Sequence, residues 1–114
     1  MNNKNLIDIT LDTLNDAKAL SINVFDVKNL TSISDYMIIA SGRSNRQVSA
    51  IADKVIEAAK ENDILPLGIE GRREGEWVLV DLGDIIVHIM HPECREYYQL
   101  EKLWNTDSER TGAV

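Results

Sequence analysis

The stretch DYMIIASGRSNRQVSAIADKV, residues 35–55, restricts the possible folds more than any other part of the chain. It begins with a short apolar run with no polar alternation, so both faces of the extended segment need cover, and such a strand belongs in a sheet interior. Gly42 ends the run. Ser44 then precedes Gln47 by three residues, the spacing of a capping box, in which two side chains satisfy orphan backbone donors at a helix start. Val48, Ile51, Ala52, Val55 and Ala59 recur at the helical period and predict a helix running to about Asn62. A buried strand followed at once by an amphipathic helix implies a crossover back to a strand of the same direction, across residues 36 to 69.

The flanking segments complete an α/β pattern. Ile7, Leu11, Leu14, Ala17 and Leu20 predict a first helix over about residues 5–20, with Asp8, Asp12, Asp16 and Lys18 between them. INVFDV, residues 22–27, is β-branched and aromatic and reads as a strand. ILPLGIEG reads as a short strand that Pro66 pushes toward an edge, RREGE as a charged loop, and WVLV as another strand. DLGD is a tight turn in which Gly83 supplies a positive φ. IIVHIM runs on to His91-Pro92, where proline suits the first turn of a helix carrying Tyr97, Leu100 and Trp104. The order is αββαβββα, a single domain with a mixed sheet of about five strands flanked by helices. NTDSERTGAV reads as a polar tail.

Composition narrows the function. Nineteen acidic against twelve basic side chains give a net charge of −7, which repels phosphate backbones and favours a basic protein partner. The one cysteine cannot form an internal disulfide, the N-terminus lacks a basic and then apolar leader, and no apolar run is long enough to span a bilayer. The expectation is a cytoplasmic protein with no membrane contact.

Several clusters invite a chemical reading. His88, His91 and Cys94 are suitable metal ligands, but a closed zinc site needs four and the chain has no other histidine or cysteine. His88 as a packed strand residue with one hydrogen bond and His91 as a helix cap account for them better, and no metal is expected. Asp81 and Asp84 could pair as an acid/base or magnesium site, yet both flank a turn whose backbone donors aspartate satisfies. Cys94 reads as a small residue in a helix's first turn. Gly42, Arg43, Ser44 and Arg46 could hold an anion at a helix start, although capping explains Ser44 and solvation explains the arginines. No phosphate-loop, dinucleotide or serine-elbow pattern occurs, so no catalytic residue and no cofactor are expected. Tyr97 and Trp104, on one stripe with Leu100, are expected in the core. Trp77 borders the charged loop and Tyr98 lies about 100° around the helix from Tyr97, which makes these two the better interface anchors.

The segment DYMIIASGRSNRQVSAIADKV together with GIEGRREGEWVLVDLGDIIVHIMHPECREYYQLEKLW resembles the ribosomal silencing factor family, also called RsfS or Iojap-like, over about residues 5–105. Leu82 stands where members more often carry tyrosine or phenylalanine, and Met90 where they carry phenylalanine; both keep the apolar character. The resemblance implies a nucleotidyltransferase-like fold over residues 1–105, with 106–114 as tail, and a homodimer when free. It implies binding to the large ribosomal subunit through its fourteenth protein, steric exclusion of the small subunit, and repressed translation under nutrient limitation or in stationary phase, with no enzymatic turnover. Placed on that function, Trp77 and Tyr98 would anchor the contact, and Glu70, Arg73 and Asp81 would set polar register. Two other readings remain. A nucleotidyltransferase would need an Asp-x-Asp strand motif, which the chain lacks; an RNA-binding maturation factor would rest on Arg43, Arg46, Arg72 and Arg73, which are few and interleaved with acids. Sequence-specific nucleic-acid binding is not expected.

Overall fold

The computed structural model describes residues 5–99 and Lys102. Eight elements follow in the expected order: α1 (Leu6–Asp16), β1 (Leu20–Asp26), β2 (Tyr36–Ser41), α2 (Asn45–Glu61), β3 (Gly68–Glu70), β4 (Trp77–Asp81), β5 (Ile85–Met90) and α3 (Pro92–Tyr98). The strands form one mixed sheet in the order β1-β2-β5-β4-β3. β2 and β5 pair in parallel at its centre; the other pairings are antiparallel.

β2 and β5 are buried on both sides, and the alternation of their side chains divides the core in two. Ile38, Ala40, Val87 and Ile89, with Val78 and Val80 of β4, face α2 and its stripe of Val48, Ile51, Ala52, Val55 and Ala59. Leu14 of α1 joins the same cluster. Met37, Ile39, Ile86 and Met90 face the other way, where Val27, Phe25, Trp77, Leu79 and Cys94 pack on them. Among the described residues, the long helix therefore covers one face and a thinner layer covers the second.

Local chemistry sets the boundaries. Ser44 Oγ accepts from the Gln47 N–H at 3.1 Å and caps α2 as expected. The reciprocal half of the box is shifted, since Gln47 Oε1 accepts from the N–H of Arg43, at 2.6 Å, and not from that of Ser44. Gly83 has φ +91° in the β4–β5 turn, and Asp81 Oδ1 accepts from its N–H at 2.9 Å. His91 Nδ1 caps α3, accepting from the Glu93 N–H at 3.2 Å, with Pro92 in the first turn.

Three expectations are corrected. The first helix ends at Asp16, because Ala17 caps it and Lys18 turns to φ +65°, so Leu20 begins β1. β3 does run in the same direction as β2, but β5 and β4 stand between them and β5 is the parallel neighbour. Tyr97 is 80% exposed, not in the core. Gln99 adopts a left-handed conformation and closes α3, so the assumed continuous stripe breaks there; Leu100 and Trp104, like the polar tail, lie outside the described residues. The buried side chain of α3 is Arg95, whose Nη1 donates to the Ser21 carbonyl at 2.7 Å and to Ser41 Oγ at 3.1 Å.

Ile89 is fully buried between β5 and α2. Ile89→Ala is expected to lower the unfolding free energy by about 2–5 kcal/mol and Ser44→Ala by about 1 kcal/mol, both read from urea unfolding curves; equal small losses in the two variants would contradict this packing.

Candidate functional site

Strand alternation puts Trp77, Leu79 and Asp81 of β4 on the sheet face away from α2, in register with Met90, His88 and Ile86 of β5. Glu70 of β3 pairs with Leu79 and shares that face. α3 begins directly after β5, so its side chains fall over the start of β4, where the His91 N–H also donates to the Glu76 carbonyl at 2.8 Å. Tyr98 thereby reaches Trp77, with ring centroids 5.1 Å apart and planes tilted by 46°. Tyr97 meets Tyr98 edge-on at 4.9 Å. The two aromatics expected to anchor an interface are in contact, and Tyr98 remains 56% exposed.

Beneath them, the Trp77 indole Nε1 donates to His88 Nδ1 at 2.9 Å. This bond requires a neutral imidazole carrying its proton on Nε2. Burial favours that state and lowers the His88 pKa from 6.5 to about 4. His88 is thus a packed strand residue with one hydrogen bond, and that bond sets the orientation of the indole above it. His91 and Cys94 border a concavity of about 400 Å³ together with Glu76, Glu93, Tyr97 and Tyr98. Burial, and then the charge of Glu76, raise the Cys94 pKa, which keeps the thiol protonated and unsuited to nucleophilic attack.

The rest of the polar candidates separate. Asp81 serves the Gly83 turn, while the Asp84 backbone carbonyl accepts from Asp35 and Tyr36 N–H groups and from Ser34 Oγ. Among the described residues no group of three or more His, Cys, Asp and Glu side chains could hold an ion, and no described helix is long and apolar enough to cross a membrane. Of the five residues expected to meet a partner, Trp77 and Tyr98 are in contact, Glu70 and Asp81 share only the sheet face of Trp77, and Arg73 lines a second concavity with Arg46, Ser49, Asp53 and Arg72, against α2. Sequence reasoning also missed His88 as the partner of Trp77. The signal was present, because Trp77 and His88 lie eleven residues apart across a two-residue turn, which places them on one face of a hairpin.

The site is thus an aromatic pair of a half-buried Trp77, oriented from below, and an exposed Tyr98, with Glu76 and Glu93 nearby. A family model described as "Ribosomal silencing factor during starvation" matches residues 1–113. The chain belongs to this ribosomal silencing factor family. It is 48% identical over 99 residues to ribosomal silencing factor RsfS of Haemophilus influenzae, covering 87% of this chain and 97% of that one. A mouse protein named "Mitochondrial assembly of ribosomal large subunit protein 1" is 34% identical over 105 residues, 90% of this chain and 46% of its own length. The crystal structure of a Chromobacterium violaceum protein matches with a TM-score of 0.86 and 43% identity, over 91% of this chain and 87% of that one. Ribosomal silencing factors are regulators of translation and not enzymes.

The His88 shift has a pH signature. The imidazole titrates near 6.5 in the unfolded chain and near about 4 in the fold, so between those values the unfolded state binds more protons. Stability from this group is complete above pH 6.5 and is lost as pH falls through 4, roughly 3 kcal/mol in all. Urea unfolding of the native protein and of His88→Leu at pH 7, 5.5 and 4 is expected to show a steeper acid loss in the native protein; parallel losses would remove the assignment.

Proposed function

We propose that this protein silences ribosomes by docking the Trp77–Tyr98 face on a basic protein of the large subunit, its fourteenth, and thereby occupying space the small subunit needs. Translation then falls under nutrient limitation or in stationary phase. The observation that carries the reading is the aromatic pair in contact at 5.1 Å with Glu76 and Glu93 at its border. An aromatic pair in contact, with its indole already oriented by a buried hydrogen bond, loses little side-chain freedom on binding and presents apolar area to a partner. Glutamates at the border, with Glu70 and Asp81 on the same sheet face, complement a cationic protein surface and disfavour exposed RNA. The net charge of −7 acts in the same sense at longer range. The name of the mouse relative, which refers to assembly of the ribosomal large subunit, points to the same particle.

The mechanism is steric. A folded domain held at the subunit interface has to leave before the small subunit can bind there, so inhibition follows from the docking affinity and the protein concentration and needs no bond made or broken. The free protein is a homodimer in the cytoplasm.

Subunit-joining assays with Trp77→Ala and Tyr98→Ala test the reading. Each variant is expected to need about ten- to thirtyfold more protein for the same inhibition, the loss typical of a central aromatic anchor, while keeping the native circular dichroism spectrum. Unchanged inhibition by both variants would remove this face from the site.

A further inference from the structure

The loop between β3 and β4 reads GRREGE, residues 71–76, an even mixture of charges. The fold sorts them. Glu76 borders the aromatic concavity, whereas Arg72 and Arg73 turn toward α2 and, with Arg46, Ser49 and Asp53, line an open groove of about 600 Å³. The loop is held there by its backbone. Ser49 Oγ donates to the Arg72 carbonyl at 2.8 Å. Gly75 is buried at φ +77°, where a Cβ would press on Ser49 Oγ at 2.8 Å and on the Asn45 carbonyl. Any other residue would push the loop off the helix.

The groove is electrostatically uncompensated. Three guanidinium groups face one carboxylate, and Asp53 is already engaged by Arg72 Nε. Arg46 and Arg73 have no ion pair or hydrogen bond among the described residues. Arg46 also stands in the first turn of α2, which contains no acidic residue, where the helix dipole is positive and a cation is unfavourable. Like charges gathered at a dipole's positive end are relieved by an anion, and guanidinium forks match phosphate oxygens. The screening length in physiological salt is about 8 Å, so the more distant acids of the molecule weaken a contact made inside the groove only in part.

We propose that the groove formed by Arg46, Arg72 and Arg73 grips the phosphodiester backbone of ribosomal RNA next to the protein on which the aromatic face docks. The contact is independent of base sequence and too small to hold naked RNA against the molecule's negative field. It adds affinity and fixes orientation once the aromatic face is seated. The inference rests on the docking reading above and assigns Arg73 to RNA, away from the protein contact.

The test measures binding of the full-length protein to purified large subunits over a potassium chloride series at constant magnesium. Arg46→Gln/Arg73→Gln is expected to bind about tenfold more weakly at low salt, with the slope of log affinity against log salt shallower by about 1.4–1.8, the value for two phosphate contacts. A second arm separates RNA from an acidic protein segment: iron-EDTA tethered at Ala50→Cys, one helical turn from Arg46, in a Cys94→Ala background is expected to cut ribosomal RNA in one short stretch, with reagent-treated Cys94→Ala protein lacking the new cysteine as background. An unchanged salt slope, or no cut beyond background while the protein stays bound, overturns the groove assignment. If Trp77→Ala binds as tightly as the native protein while the RNA cut persists, the aromatic docking face fails and the groove stands. If the native protein does not bind large subunits at all, both fall.

Discussion

The fold depends on covering two faces of one pair of parallel strands. β2 and β5 present apolar side chains on both sides, and α2, supported by α1, supplies a thick cover for one side only. The other side is closed by a thin layer to which Trp77, Leu79 and Cys94 contribute. Such a layer leaves aromatic surface exposed, so the proposed docking face is the incomplete side of the core and not an addition to it. His88 illustrates the link. It lies at 5% exposure in that layer, and its neutral imidazole both packs against the sheet and orients the indole.

Much of this was legible in the sequence because the signals were local. The αββαβββα order, the Ser44 cap, the Gly83 turn and the His91-Pro92 start of α3 each depend on a few consecutive residues, and each lies where its residues place it. The pairing of Trp77 with Tyr98 was legible only in part: both could be named as anchors from their positions, but their contact needs α3 to fold back over β4.

What the sequence hid depends on tertiary closure. Nothing local says that β5 inserts between β2 and β4, since strand pairing is chosen by global burial. Tyr97 belongs to the core only on a helical stripe continuing past residue 99, and the left-handed turn at Gln99 breaks that stripe. Arg95 reads as a surface charge until Ser21 and Ser41 are seen around its guanidinium. The sorting of Glu76 from Arg72 and Arg73 was equally invisible, because it follows from Gly75 seating the loop on α2. The result is a molecule with glutamates at its aromatic face and arginines in a groove against α2, a polarity that its net charge alone conceals.

The central claim is that this domain acts by occupying a surface of the large subunit. Sucrose-gradient sedimentation of the purified protein with separated large and small subunits tests it most directly. The account requires comigration with the large subunit only, and a dose-dependent fall in joined ribosomes when the small subunit is added. Comigration with the small subunit, or joined ribosomes left at their starting level under saturating protein, would contradict it.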